Sequence, residues 1–273
     1  MAIITAGTGN RSNADLPPME TYRLLQFTDT HLFPDPRGRV RDALSLPRLK
    51  ACIGHAGRRH LPADAIVVTG DLVHDDPTAY DTLGGVLRAL DTPVLLIPGN
   101  HDRPAELRKR LGEPPFQVGG AFRLGRWTIL LLATWLADSI DGEGRVGGEQ
   151  LDWLERELRA NHGQHVLVCL HHPPILMESA ALDALGLLDA ADFMTLIEAH
   201  PNVRGLAWGH AHQSLDVFRR GLRLMCTPAT CMQFIPRRSG FVVDDRPPGY
   251  RVIDLQAGGG LASEVVWLEG YQQ

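Results

Sequence analysis

Aspartate, asparagine and histidine side chains occur in five short groups along the chain, and each group directly follows an apolar run. The groups are Asp29-Thr30-His31, Gly70-Asp71, Gly99-Asn100-His101-Asp102, His171-His172 and Gly209-His210-Ala211-His212. Carboxylate oxygens and neutral imidazoles, with no thiolate among them, suit Mn²⁺, Fe, Zn²⁺ or Co²⁺ rather than a copper thiolate or an iron–sulfur cluster. The chemistry that these residues indicate is therefore metal-assisted.

Seven ligands from among these ten side chains would be more than one ion needs. Two ions that share one bridging carboxylate would use them all. Asp71, on the turn that Gly70 begins, can direct its two oxygens in opposite ways. Two metal ions about 3.5–4 Å apart form a clamp that stabilises in-line displacement at phosphorus. The pattern thus favours a dinuclear centre for phosphoryl chemistry.

The apolar runs have the length of β-strands, and stretches with helical spacing lie between them. The predicted strands cover 24–28, 65–69, 94–97, 128–133, 166–170, 203–208 and 222–226. The predicted helices cover 46–59, 78–90, 149–161 and 190–200. This β-α-β-α order predicts a largely buried sheet with helices outside it. Because ligands bind beyond the carboxyl ends of strands in open α/β sheets, we expect the five groups to converge.

The length and composition favour one domain with a substantial core. The chain has 273 residues, of which 44% are hydrophobic and 22% are charged. We expect a flexible N-terminal tail over 1–20 and a single domain over 21–273. Its part from about 222 to 270 should be β-rich and should include a hairpin, with strands at 250–255 and 264–268 around three consecutive glycines.

Charge and cysteine content exclude several classes of partner. The net charge of −5 lacks the basic field that non-specific nucleic-acid binding requires, so no nucleic acid is expected. The four cysteines form no C-x-x-C pair, which favours reduced thiols and a cytoplasmic location. Neither a signal peptide nor a spanning helix is visible, so no membrane partner is expected.

The five groups, in this order, resemble the motifs of the calcineurin-like metallophosphoesterase superfamily over residues 24–212. The resemblance implies an α/β fold in which a β-sandwich is flanked by helices (α/β/β/α), with a dinuclear site at the C-terminal ends of the strands. It assigns one metal to Asp29, His31, Asp71 and His212, and the other to Asp71, Asn100, His171 and His210. His101 and Asp102 stay outside both sets. The expected ions are iron or manganese, divalent or mixed-valence, with zinc or cobalt as alternatives.

Further segments resemble the bacterial class III cyclic-nucleotide phosphodiesterases over nearly the whole chain after the tail. They are Gln26-Phe27-Thr28-Asp29-Thr30-His31-Leu32-Phe33, Thr227-Pro228-Ala229-Thr230-Cys231-Met232-Gln233-Phe234-x-Pro236 and Pro248-Gly249-Tyr250-Arg251. The resemblance implies hydrolysis of a small molecule, 3′,5′-cyclic AMP, to 5′-AMP by a hydroxide that bridges the metals. Substrate contacts would come from Asn100, His101 and His212, and the loop from Thr230 to Phe234 is the candidate for the adenosine side.

Two residues are expected to be catalytic. His101, held by Asp102 in a carboxylate–imidazole pair, would contact the phosphoryl oxygens and protonate the leaving alkoxide. His74, Asp75 and His172 lie beside the motifs but match no ligand position, so we expect them either directly behind the ligands or at the rim of the site.

Other functions share much of this pattern. A phosphomonoesterase or nucleotidase would use the same metal site, as would a phosphodiesterase for glycerophosphodiesters or a lipid-linked nucleotide. A metal-free scaffold that binds a partner would be expected to lose ligands, and none is missing here. The net charge also disfavours a DNA nuclease.

Overall fold

The fold is described from a computed structural model that covers residues 20–139 and 141–272. The flexible tail expected over 1–20 therefore lies outside the described residues, except for Glu20. Within these ranges, no helix is long and apolar enough to cross a membrane.

The described part of the chain contains sixteen strands, six α-helices and one 3₁₀ turn at Pro77–Ala79. The strands are β1 (Thr21–Phe27), β2 (Arg39–Val40), β3 (Ala43–Leu44), β4 (Ala65–Thr69), β5 (Val94–Ile97), β6 (Phe116–Val118), β7 (Gly120–Leu124), β8 (Trp127–Leu131), β9 (His165–Cys169), β10 (Val203–Trp208), β11 (Leu215–Arg219), β12 (Leu222–Cys226), β13 (Gln233–Phe234), β14 (Val243–Asp244), β15 (Gly249–Gln256) and β16 (Leu261–Trp267). The helices are α1 (Ser45–Arg59), α2 (Tyr80–Arg88), α3 (Pro104–Leu111), α4 (Gly148–Ala160), α5 (Ala180–Ala184) and α6 (Ala190–Glu198).

Two six-stranded sheets form the centre of the fold. One has the order β16-β15-β1-β4-β5-β6 and the other β11-β12-β10-β9-β8-β7. Strands β1, β4, β5 and β6 are parallel in the first sheet, as are β8, β9, β10 and β12 in the second. Element order alone predicted one buried sheet, whereas the sandwich implied by the resemblance is confirmed.

Side chains along β1 point alternately to its two faces, and this shows how the layers pack. Leu24 belongs to a buried cluster that also contains Leu167 and Ala207 of the second sheet, so this face lies between the sheets. Leu25 and Phe27 point the other way, into the cluster that α1, α2 and α3 cover. A third cluster joins the outer face of the second sheet to α4 and α6. The layers are therefore helix, sheet, sheet and helix.

The strand register brings the polar groups to one edge of the sandwich. Phe27 pairs with Val68, and Thr69 pairs with Ile97, so β1, β4 and β5 end nearly level. In the second sheet Cys169 pairs with Ala207. Because neighbouring parallel strands end together, the loops that follow β1, β4, β5, β9 and β10 meet.

The C-terminal part of the chain completes both sheets. The expected hairpin is present, with β15 and β16 joined around Gly258–Gly260, and it extends the first sheet beyond β1. Strand β12 lies in the second sheet. The β-rich segment after residue 222 is therefore integral to the sandwich.

Candidate metal centre

The loops that carry the predicted ligands adopt an unusual backbone conformation. Positive φ angles occur at Asp29 (51°), His31 (41°), Asp71 (49°), His210 (63°) and His212 (49°). Non-glycine residues rarely enter this region, and such strain clusters at functional sites. Backbone bonds from Asp29 N to Gly70 O (3.0 Å) and from His31 N to Asp71 O (2.8 Å) hold the first two loops together. The backbone is therefore arranged to turn these side chains toward one point.

One set of donor atoms forms around His31. Its Nε2 atom lies 3.3 Å from Nε2 of His212 and 3.5 Å from Oδ2 of Asp71. Nε2 of His212 is also 3.4 Å from Oδ1 of Asp29. All four side chains are buried. These are the four residues predicted to hold the first ion.

A second set forms around His171. Its Nε2 atom lies 3.2 Å from Oδ1 of Asn100, 3.2 Å from Nδ1 of His210 and 3.4 Å from Oδ1 of Asp71. Nδ1 of His210 is 3.1 Å from the same Asn100 oxygen. Asp71 thus presents Oδ2 to the first set and Oδ1 to the second, which is the arrangement a bridging carboxylate requires.

Backbone hydrogen bonds of two imidazoles make these sets suitable for cations. Nδ1 of His171 donates to the carbonyl of Thr69 (2.7 Å), and Nδ1 of His212 donates to the carbonyl of Met232 (2.8 Å). Each neutral ring then has only a lone pair on Nε2. When the rings are neutral, these lone pairs face carboxylate oxygens and further imidazole nitrogens, and in the metal-free protein a proton on His171 offsets the repulsion, in keeping with its raised pKa. A metal ion at each set would remove this repulsion, so the residues present fit two ions.

The pKa values of the clustered side chains follow from the same geometry. Burial alone would lower the pKa of His171, but the adjacent carboxylate of Asp71 outweighs burial and raises this pKa to about 9. Burial likewise opposes ionisation of Asp71, yet the imidazoles around it hold its pKa well below the usual value. Burial lowers the pKa of His210 to about 3, and His171 adds to this effect. The carboxylates are therefore ionised and ready to bind a cation.

Neighbouring groups orient the carboxylate of Asp29. Thr28 donates its hydroxyl to Oδ2 (2.7 Å), and the backbone N–H of His210 donates to the same oxygen (3.0 Å). Gly209 has to be glycine here, because a Cβ atom would collide with the Thr28 hydroxyl and would lie 2.6 Å from Oδ2 of Asp29. The turn Gly209-His210-Ala211-His212 therefore supplies two proposed ligands and positions a third, Asp29.

The predicted pairing of Asp102 with His101 is wrong. The carboxylate of Asp102 is fully buried and accepts hydrogen bonds from the backbone N–H groups of Gly99 (2.8 Å), Leu72 (3.1 Å) and Val73 (3.3 Å). The Tyr80 hydroxyl also donates to it, at 2.9 Å. Asp102 thus joins the loop after β4 to the loop after β5. Both of its oxygens are occupied, so neither is available to the His101 imidazole.

Asp75 takes the place expected for Asp102. Its Oδ1 atom lies 3.2 Å from Nδ1 of His101. The ring of His101 stacks on that of His74 at 4.6 Å, and Nδ1 of His74 lies 3.1 Å from Nδ1 of His31. The sequence placed His74 and Asp75 either behind the ligands or at the rim, and it gave neither of these partners. The place of His74 and Asp75 three and two residues before the 3₁₀ turn carries no local signal for these contacts.

His172 packs against the second donor set, with its ring centroid 4.8 Å from that of His171 and 4.6 Å from that of His210, and it ties this set to a loop. It is fully buried, and its Nδ1 atom lies 2.7 Å from the Thr134 hydroxyl. Its Nε2 atom lies 3.0 Å from the carbonyl of Gly142. Both nitrogens are thus engaged by the segment that follows β8.

Two clefts open beside the donor sets, and both include Asn100, His101 and Asp141. One has a volume of about 390 Å³ and extends along Arg41, Phe234 and Phe241. The other, of about 410 Å³, extends along Asp75, Arg103 and Trp135. Volumes in this range are typical of sites for small molecules.

Comparisons with known proteins agree with this architecture. Residues 22–214 match the family model described as calcineurin-like phosphoesterase. A 3′,5′-cyclic adenosine monophosphate phosphodiesterase, CpdA, of Vibrio vulnificus is 33% identical over 93% of this chain and 93% of its own. CpdA of Escherichia coli K12 is 34% identical over 89% of this chain and 88% of its own. A crystal structure of a dimetal phosphatase from Danio rerio superposes with a TM-score of 0.65 at 13% identity, covering 90% of this chain and 98% of that one.

The two-sheet sandwich and the donor sets at its edge define a protein of the metallophosphoesterase class. The family match covers well over half of the chain, and the bacterial relatives extend it to nearly the full length. The chain belongs to the calcineurin-like phosphoesterase family.

Proposed function

We propose that this protein is a phosphodiesterase that hydrolyses 3′,5′-cyclic AMP to 5′-AMP at a dinuclear metal centre. The observation that carries the proposal is the pair of donor sets that share Asp71, because this is the clamp required for displacement at phosphorus. The choice of substrate rests on the relatives named for this reaction, which are 33% and 34% identical to the chain over about nine-tenths of it.

The proposed ligands are Asp29, His31, Asp71 and His212 for one ion and Asp71, Asn100, His171 and His210 for the other. Oxygen and imidazole donors without a thiolate suit iron or manganese, and also zinc or cobalt. When bound, the two ions lower the pKa of water towards neutrality and polarise the phosphoryl oxygens.

The residues of the chain then position the substrate and move one proton. Asn100, His101 and His212 surround the place where the phosphoryl group would lie. One water is consumed: it loses a proton to the solvent, its oxygen bonds to phosphorus, and the bond from phosphorus to the 3′ oxygen breaks. His101 protonates that 3′ oxygen and regains a proton from the solvent. Asp75, at Nδ1 of His101, keeps the opposite nitrogen directed at the cleft.

The test is a completed digest of 3′,5′-cyclic AMP by manganese- or iron-loaded protein, analysed by chromatography. Accumulation of 5′-AMP supports the proposal, since the product lacks the ring that fixed the alignment and should be a poor second substrate. Formation of 3′-AMP would reverse the leaving group assigned here. Free adenosine with phosphate would instead identify a phosphomonoesterase.

A further inference from the structure

The cleft along Phe234 and Phe241 has a wall made by two short hairpins. Strands β2 and β3 form the first, with Arg41 in its turn, and strands β13 and β14 form the second, with Phe241 in its loop. A small buried cluster of Ala43, Ala229, Cys231 and Met232 joins them, and Val40 and Phe234 pack against it. The two hairpins therefore form one continuous surface, which we name the hairpin wall.

The hairpin wall is fastened to the metal centre. The backbone N–H of Phe234 donates to the carbonyl of His212 at 3.0 Å, and the His212 imidazole donates to the carbonyl of Met232. The rings of His212, Phe234 and Phe241 follow one another outward at centroid distances of 5.1 and 5.2 Å. A row of aromatic faces thus leads from a proposed ligand into the cleft.

The outer end of this row is open to a ligand. Phe241 is 39% exposed, although it is a large apolar side chain. The guanidinium of Arg41 lies 6.0 Å from the centroid of the Phe234 ring, and both residues line the cleft. An aromatic face beside a cation is the surface on which nucleobases stack.

We propose that the hairpin wall binds the base of the cyclic nucleotide, with Phe241 and Arg41 as the specificity-determining residues. This inference rests on the proposed function, because it places the substrate's phosphorus at the donor sets. In a 3′,5′-cyclic nucleotide only the ribose separates phosphorus from base, so the base lies just beyond the ligand cluster, along the part of the cleft that Phe234 and Phe241 line. Stacking uses the π-face that every base has, so the wall does not read the edges of the base and instead distinguishes diesters that carry a base from those that do not.

The cleft on the other side of His101 is less suited to a base. Asp75 places a carboxylate along it, next to His101, whereas Asp141 lines both clefts and does not distinguish them. Its aromatic residue is Trp135, so the competing hypothesis is that the base stacks on Trp135 in this cleft. The hairpin wall instead combines two arginines, Arg39 and Arg41, with two phenylalanines, and this suits an anionic nucleotide.

The experiment compares Phe241→Ala, Arg41→Ala, Trp135→Ala and a matched control, Phe218→Ala. Phe218 is also an exposed phenylalanine with an arginine over its ring, at 5.4 Å from Arg223, but it lies on β11 and lines neither cleft. Two substrates are used with the metal-loaded enzymes, cyclic AMP and methyl 4-nitrophenyl phosphate, a diester that has no base. Calorimetry measures the binding of 5′-AMP and of inorganic phosphate.

Phe241→Ala should raise KM for cyclic AMP about tenfold relative to KM for the base-free diester, the fold-change that corresponds to about 1.4 kcal/mol of stacking. Arg41→Ala should act in the same direction, and Phe218→Ala should leave the ratio unchanged. Binding of 5′-AMP should weaken in parallel, while binding of phosphate does not.

Two results would overturn the assignment of the hairpin wall. One is unchanged 5′-AMP binding in both hairpin variants, and the other is a larger loss in Trp135→Ala than in Phe241→Ala. Failure of the proposed function is a separate outcome, in which the wild-type enzyme cleaves the base-free diester but not cyclic AMP. The 5′-AMP titration then still decides whether the wall binds a nucleoside.

Discussion

At the scale of single residues, the two oxygens of Asp71 face different donor sets, at 3.5 Å from His31 and 3.4 Å from His171. Asp71→Ala should therefore remove both ions and the activity together, because each set loses an anionic ligand and the charge between the two cations disappears. Elemental analysis of the purified variant measures this. Asp81→Ala, which removes an exposed carboxylate on α2, is the control and should retain both ions. Two tightly held ions with near-normal turnover in Asp71→Ala would refute the bridge.

His101 should behave differently, because it lies outside both donor sets. His101→Ala should keep its metal content and lose about 10²–10⁴-fold in turnover of cyclic AMP, the usual range for a general acid. A nitrophenolate leaving group needs little protonation, so the loss on a nitrophenyl diester should be smaller. Equal losses on both substrates would show that His101 positions the phosphoryl group and transfers no proton.

Asp102 should matter for stability, since it accepts hydrogen bonds from three backbone N–H groups and from Tyr80. Asp102→Ala should lower the free energy of unfolding by at least about 3 kcal/mol, because it leaves several buried donors unpaired. Tyr80→Phe removes one of those donors and should cost about 1 kcal/mol. Denaturant titration of the two variants checks this order. A fully stable but inactive Asp102→Ala variant would restore a catalytic role to this residue.

At the scale of elements, the core strands were predictable because burial on both faces leaves a continuous apolar run. Strands β4, β5, β10 and β12 begin and end at the predicted residues. Helix α3 was missed because its buried residues are only Leu107 and Leu111, and its last turn is the basic run Arg108-Lys109-Arg110. The hairpins of the wall have strands of two residues, which are too short to show a period.

The convergence of the ligands was also predictable, because parallel strands end at one edge of a sheet. The hydrogen-bond partner of His101 was not predictable from the sequence. Asp102 is its neighbour in the chain, whereas Asp75 is 26 residues away and meets it only through the packing of two loops. Sequence adjacency predicts a shared loop, but the direction of each side chain depends on the turn.

Gly99, in the turn that follows β5, has no room for a side chain. A Cβ atom at this position would collide with Oδ1 of Asp71 and would lie 2.7 Å from Nε2 of His171. Gly99→Ala should therefore empty the second donor set and abolish activity. Gly85→Ala is the matched control, because this helical position has nothing within 4 Å of the added carbon. It should leave metal content unchanged and stabilise the protein by about 0.5–1 kcal/mol. Full metal content in Gly99→Ala would contradict the proposed second set.

At the scale of the whole molecule, the donor sets join the two sheets. Asp29, Asp71 and Asn100 follow strands of the first sheet, whereas His171, His210 and His212 follow strands of the second. Each proposed ion therefore has ligands from both sheets. Any ion that binds only the folded protein must stabilise the sandwich, by a free energy that grows with the logarithm of the ratio of its concentration to its dissociation constant.

Metal removal should consequently lower the melting temperature, and the drop should grow with pH. An ion present at a hundred times its dissociation constant stabilises by about 2.7 kcal/mol, which corresponds to several degrees for a chain of this size. In the metal-free protein the Asp71 carboxylate, acting against burial, raises the pKa of His171 to about 9. That stabilisation is complete below about pH 6.5, the ordinary value for histidine, and is lost as pH rises through 9.

The metal-bound protein has no such loss, because a ligating imidazole is already neutral, and fewer protons compete with the metal as pH rises. Calorimetric melting with and without a chelator at pH 6.5 and pH 9 therefore measures a difference that should be larger at pH 9. Asp71→Ala removes both the bridging ligand and the carboxylate that raises the His171 pKa. Its melting temperature should not respond to the chelator at either pH. A chelator effect in wild type that is equal at both pH values would show that His171 is neutral without metal, and the charge coupling described for the second donor set would then be wrong.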